Sequence, residues 1–183
     1  MNDAFDLCAS AEAWVVETEQ AADAAAREHL LDRVMGPERF LKSSEMLRRG
    51  RSPSAMLALV ARHRSGHIVG TVRLWDILAG DTPTVLLGPL AVDKAVAGNG
   101  IGTALMREAI ARARRIGHGS IILVGDPAYY ARFGFRAELT SSLLMPGDVV
   151  RKRLLALELR DGDLASASGL IVARQDDRRI LAA

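Results

Sequence analysis

The chain contains a single cysteine, Cys8, among its 183 residues. One thiol excludes an internal disulfide and any cysteine-based metal cluster, and it fits a reducing compartment. No charge of one sign dominates either, since 24 basic residues face 22 acidic ones for a formal net charge of +2. That balance argues against a nucleic-acid partner, while the slight positive excess tolerates anionic ligands. No run approaches the roughly 18 apolar residues of a membrane span, so no membrane partner is expected. The opening MNDAFDLC lacks the basic-then-apolar order of a signal peptide, which makes a cytoplasmic protein the expectation. The histidines, His29, His63, His67 and His118, have no metal-ligand spacing, and no metal is expected.

What is present is apolar material in regular patterns. Hydrophobic residues make up 49% of the chain, enough for one well-buried core, and no repeat or linker interrupts it. A single domain over residues 1–183 is expected, with 1–12 as a loose arm and 174–183 as a mobile tail. Trp14 to Glu17 reads as a first strand. From Asp23 the spacing of Ala26, Leu30, Leu31 and Val34 predicts an amphipathic helix closed by Gly36-Pro37. A second helical piece is predicted over Glu38 to Arg49. Met56 to Arg62 and His67 to Leu78 read as strands joined by Arg64-Ser65-Gly66. Gly80 to Pro83 reads as a polar loop, and Thr84 to Val92 as the next strand.

That strand leads into the most informative stretch, LGPLAVDKAVAGNGIG, from Leu87 to Gly102. Gly88-Pro89 interrupts the strand, and a proline there removes a ladder donor, which favours a bulge. Gly98, Gly100 and Gly102 allow backbone conformations closed to other residues. The helix that follows, Thr103 to Ile116, aims its first free N–H groups at whatever lies before it, a ready site for pyrophosphate. The glycine spacing is G-x-G-x-G, which is not that of the dinucleotide-binding motif. Within the helix, Ile101, Leu105, Ala109, Ala113 and Ile116 share one face, and Glu108 and Arg112 stand at pairing distance. Ser120 to Val124 reads as a strand covered on both faces, parallel to the strand before the helix. In GDPAYYARFGF, residues 125–135, Asp126 suits an N-cap and Pro127 a first helical residue, with Gly134 as the stop. Leu154 to Leu159 and Leu170 to Ala173 read as later strands, with a turn at Asp161-Gly162-Asp163.

The two motif stretches together resemble the GNAT superfamily of N-acetyltransferases, in particular a bacterial subgroup carrying a GDPAYY-x-RFGF segment. The resemblance covers about Trp14 to Leu159. It implies a three-layer α/β fold: a central mixed, twisted sheet with a β-bulge and splayed parallel strands, and helices on both faces. It implies acetyl-CoA as co-substrate. The phosphate-binding pattern of the family falls on Ala97, Gly98, Asn99, Gly100, Ile101 and Gly102, followed by Thr103. Ala97 departs from the arginine or glutamine usual at its first position. The family implies that the backbone of Leu90, Ala91 and Val92 pairs with pantetheine as an added strand would. Leu123 stands where members often carry an asparagine. Asp126, Tyr129 and Tyr130 are expected to border the cofactor.

Tyr130 occupies the position of the family's general-acid tyrosine, and a phenol of pKa about 10 suits protonation of a thiolate. Packing alone would equally account for an aromatic pair, with Tyr129 as a pocket wall. No acidic residue lies in Thr84 to Val92 to serve as base; Asp76, Glu45 and His63 are candidates that read equally as solvated residues. Cys8 lies far in sequence from both motifs, so direct transfer in a ternary complex is preferred to an acetyl-cysteine intermediate. The expected acceptor is an amine of a small molecule or peptide. A protein of the same fold that binds CoA without catalysis, to regulate a partner, is the alternative. A homodimer is the default assembly on general grounds.

Overall fold

The computed structural model describes residues 13–174. Cys8, the expected arm and all but Arg174 of the expected tail lie outside the described residues. In chain order the strands and α-helices are β1 (Trp14–Thr18), α1 (Ala24–Met35), α2 (Ser43–Met46), β2 (Ala58–His63), β3 (Ile68–Ala79), β4 (Thr82–Val92), α3 (Ile101–Arg115), β5 (Ser120–Val124), α4 (Pro127–Tyr130), β6 (Leu143–Leu144), β7 (Leu154–Glu158) and β8 (Gly169–Ala173). The sheet order is β1-β2-β3-β4-β5-β7, with β8 pairing β3 and β6. Neighbours β1–β2, β2–β3, β3–β8 and β5–β7 are antiparallel, whereas β4–β5 and β6–β8 are parallel. This is the expected mixed sheet. The described residues form two compact units, one of the residues up to Leu41 with Pro53–Leu74 and Leu87–Ile116, the other of Lys42–Ser52 with Trp75–Leu86 and the residues from Gly117 onward.

In the first unit, successive strand residues point to opposite faces, and helices cover both. Leu30 of α1 packs with Val60 and Ile68. On the other face α3 buries Ile101, Leu105, Met106, Ala109 and Ala113, the period of an amphipathic helix. Its approach to β3 depends on Gly70, where a Cβ would lie 2.8 Å from Ile101 and 2.9 Å from Leu105. Glu108 and Arg112 do pair, at 2.7 Å, and Arg112 also reaches the Thr18 hydroxyl at 2.6 Å. Ile116, expected on the buried face, follows the helix as its C-cap and is exposed.

The face of α1 differs from expectation. Ala26 is exposed and Arg27 is buried with Leu30 and Leu31. Arg27 is tolerated because it sits among carboxylates, 3.4 Å from Glu19 and 3.0 Å from Glu28. Arg73 forks onto the same Glu19. A buried cation needs such partners.

The second unit is built around Trp75, Ile77, Leu86, Ile122, Leu154, Ala156 and Ile171. Its parallel pair has the register Val85 to Ile121 and Leu86 to Ile122. Buried polar groups at the start of β5 are satisfied: Ser120 donates to Asp163 at 2.8 Å and Thr84 donates to the Ser120 carbonyl at 2.9 Å.

Element boundaries differ from expectation in places. The helix expected over 38–49 is a 3-10 turn, Pro37–Leu41, and the four-residue α2, divided at Lys42 whose ψ of 139° is extended. Phe40, Leu41 and Met46 are exposed and only Leu47 is buried, too little apolar surface to hold one long helix together. Pro83 belongs to β4, leaving only Gly80 and Asp81 as the turn. At the expected bulge, β4 continues to Val92 with Gly88 at φ 134° and a cis bond to Pro89. Replacing Gly70 by valine is expected to destabilise the protein by about 1–3 kcal/mol through overpacking against α3, read as a lowered urea midpoint at unchanged slope.

Candidate functional site

The expected residues fall in both units. Leu90, Ala91, Val92 and the glycine turn through Thr103 belong to the first; Asp126, Tyr129 and Tyr130 belong to the second.

In the first, β4 delivers Leu90 and Val92 half-buried and Ala91 buried. Beyond them Asp93 fixes the chain in three ways. Its N–H donates to the Val69 carbonyl at 2.8 Å, its carboxylate accepts from Ala95 N–H at 3.0 Å, and it pairs with Arg33 at 2.8 Å. Ala97, Gly98, Asn99 and Gly100 then stand exposed. Gly98 has φ 90°, and Gly100, the N-cap of α3, has φ 78°. A Cβ at either would meet nothing within 4 Å, so glycine is needed there for its backbone conformation and not for space.

The start of α3 is chemically open. The first intrahelical bond runs from Ala104 N–H to Gly100 C=O, at 2.9 Å. Ile101, Gly102 and Thr103 thus precede the helical ladder with their N–H groups at its N-terminal end. No side chain caps this end and no acidic residue occupies its first turn, so the positive end of the helix dipole is not neutralised locally. Ile101 itself is 1% exposed. Its side chain anchors the helix against the strand at Gly70. Such an end suits an anion with several oxygens.

In the second unit the GDPAYY segment folds as its residues dictate. The Asp126 carboxylate accepts from Ala128 N–H at 3.1 Å and Pro127 takes the first helical position. The helix gives way to a 3-10 turn, Ala131–Phe133, which ends at Gly134 with φ 88°. The Tyr130 ring lies over Gly125, where any Cβ would overlap it. It meets Tyr129 and Phe135 edge-on, at centroid distances of 4.9 and 5.9 Å. Arg132 stacks its guanidinium 4.1 Å from the Tyr129 ring centre. Leu123 is 1% exposed, opposite Leu155 in the β5–β7 ladder, so its side chain serves the core.

Burial pushes the Tyr130 phenol up to about 12, helped by Tyr129 and Asp126 and opposed by Arg153. This corrects the ordinary value near 10 expected from sequence. The candidate bases are engaged or remote from the motifs in sequence. Glu45 pairs with Arg48 at 2.9 Å, and the His63 ring nitrogen meets Ser65 at 2.7 Å. Asp76 faces His118, whose pKa burial lowers against the pull of that carboxylate. Among the described residues no group of three or more His, Cys, Asp or Glu is arranged to hold a metal, and no helix is long and apolar enough to cross a membrane.

The pattern of the acetyltransferase (GNAT) family matches residues 12–135, spanning both the glycine turn and the tyrosine segment. The chain belongs to the GNAT family. It is 30% identical over 117 residues to the uncharacterized N-acetyltransferase YhbS of Escherichia coli strain K12, covering 63% of this chain and 70% of that protein. The crystal structure of E. coli YhbS in complex with CoA superposes with a TM-score of 0.76 at 27% identity, covering 88% of this chain and 90% of the other. A GNAT family acetyltransferase from Brucella melitensis in complex with acetyl-CoA gives a TM-score of 0.58 at 26% identity, over 79% and 87% of the two chains. The GNAT fold and N-acetyltransferase class expected from the motifs therefore hold.

Two features of this GNAT site escaped sequence reasoning. Gly125 was visible as the first letter of its motif, but its role as the seat of the Tyr130 ring is a packing fact. Arg153 lies 28 residues from Gly125 in a segment without pattern, and no sequence signal marked it. Because the folded phenol ionises near 12 and an unfolded one near 10, Tyr130 contributes stability fully present below pH 10. That contribution is lost as pH rises through the folded value. The urea midpoint is expected to fall from pH 10 upward, and Tyr130→Phe to flatten that decline.

Proposed function

We propose that this N-acetyltransferase moves the acetyl group of acetyl-CoA directly to an amine of a small molecule or peptide, within a ternary complex. The observation that carries the reading is the open, uncapped start of α3 behind two left-handed glycines, in a family whose relatives are solved with CoA and acetyl-CoA. The backbone N–H groups of Gly98 to Thr103 would hold the pyrophosphate, with the side chains of Ala97 and Asn99 supplying no positive charge. The backbone of Leu90 to Val92 would pair with the pantetheine amides as an added strand does. Asp126 caps α4 and so sets the angle at which Tyr129 and Tyr130 are presented.

The chemistry follows from those roles. A neutral amine attacks the thioester carbonyl, the C–N bond forms, and the C–S bond breaks to release CoA thiolate. Tyr130 gives its phenolic proton to that sulfur, breaking O–H as S–H forms. With its phenol raised to about 12, Tyr130 is fully protonated at neutral pH. A thiol pKa of about 8.5 makes a stepwise transfer uphill, so the proton moves as the sulfur leaves and not before. No carboxylate of β4 is available to take the proton that nitrogen must lose once the C–N bond has formed, and that proton passes to water. The pH–rate profile is then governed by the amine on its rising side, with no descending limb from Tyr130 below about pH 11.

The test is thiol release from acetyl-CoA with a panel of primary amines: ethanolamine, spermidine, lysine, aniline and a short lysine peptide. Release above the hydrolysis background with at least one amine is expected, and background alone with all of them would leave acyl-CoA binding without transfer. Tyr130→Phe is expected to lower kcat about a hundredfold or more while the acetyl-CoA KM stays within about threefold. Unchanged turnover would remove Tyr130 from the reaction.

A further inference from the structure

Arg153 belongs to no motif, and its side chain is exposed. It closes the 3-10 turn Arg151–Arg153 that leads into β7. From there it holds both polar groups of a single residue. Its carbonyl accepts from Gly125 N–H at 2.9 Å, and its guanidinium Nε donates to the Gly125 carbonyl at 3.3 Å. Gly125 is the residue that the Tyr130 ring covers so closely that a methyl group would overlap it. The floor beneath the ring is therefore set from a different part of the chain than the helix that carries it.

The same arrangement fixes the charge around the phenol. Tyr129 neighbours it on α4, and Asp126 stands at the start of that helix. Both make ionisation harder, as burial does most strongly. Arg153 approaches from the segment before β7 and acts in the opposite sense. Arg132, on the turn after α4, spends its guanidinium on the rings of Tyr129 and Phe133.

We propose that Arg153 is the positioning residue of Tyr130, fixing Gly125 as the seat of the ring and supplying the positive charge that faces the phenol as its proton leaves. The catalytic half of this rests on the reading of Tyr130 as the acid. When the Tyr130 O–H bond breaks and the S–H bond of CoA forms, a phenolate is left in a half-buried place. The guanidinium compensates that charge until water returns a proton. A residue of this kind alters turnover through another side chain and leaves cofactor affinity alone.

The test uses the fact that the chain contains two tyrosines. Selective 13C labelling of tyrosine gives two sets of ring signals, and Tyr130→Phe assigns them. Arg153→Met is expected to shift the Tyr130 signals and to lower kcat about tenfold or more, measured as thiol release with the fastest amine of the panel above. The acetyl-CoA KM should stay within about threefold, and Arg153→Lys should restore part of the loss because it keeps the charge without the planar fork. In a Tyr130→Phe background the same substitution should have no further effect on kcat. Unmoved Tyr130 signals, or an equal loss in both backgrounds, would overturn the proposal. Full turnover by Tyr130→Phe would instead sink the acid reading, and the ring signals alone would then decide whether Arg153 positions Tyr130.

Discussion

How closely α3 approaches β3 decides where the proposed phosphate-binding end of that helix stands. Ile101 and Leu105 press on the strand at Gly70, where even one added methyl carbon would be crowded. Because Ile101 is also the first residue of the helix, the contact that buries α3 holds its N-terminus as well. The exposed turn in front can then be made of residues chosen for conformation alone, with Gly98 and Gly100 in left-handed geometry. The proposed binding capacity thus resides in backbone N–H groups held by apolar packing, which would accommodate alanine at position 97.

A second dependence concerns a helix too short to exist by itself. Four residues fall far below the length at which an isolated helix is stable in water, yet the proposed chemistry requires α4 to present Tyr130 in one orientation. Asp126 and Pro127 start it, Gly134 ends it, and Phe135, 2% exposed, ties its exit to the core. The Tyr130 ring is left in partial burial over Gly125. That burial raises its pKa, so the packing that orients the phenol also keeps it protonated across the working range of pH.

Much of this was legible in the sequence because the signals were local. The glycine turn, the α3 face through Ala113, the capping of α4 by Asp126 and the parallel neighbour β5 follow from short-range chemistry. Failures came where tertiary context overrode pattern. Arg27 took the place on α1 that spacing assigned to Ala26, since Glu19 and Glu28 stood ready to pair with it. Residues 38–49 carried helix-forming composition, but of their apolar residues only Leu47 is buried, and they broke at Lys42. Two-residue β6 gave no period at all, and Pro83 entered β4 despite reading as loop. Arg153 reaches Gly125 across 28 residues, a contact that no local pattern encodes.

The central claim is that the glycine turn and the start of α3 form an acetyl-CoA site, and a calorimetric titration of the purified protein with acetyl-CoA tests it most directly. Desulfo-CoA and NAD serve as controls. The account expects acetyl-CoA to bind at or below about 100 μM, worth roughly 5.5 kcal/mol or more, desulfo-CoA to bind comparably because the pyrophosphate and pantetheine contacts are retained, and NAD to give no heat of binding. Silence from acetyl-CoA and desulfo-CoA, or equal binding of NAD, would contradict it.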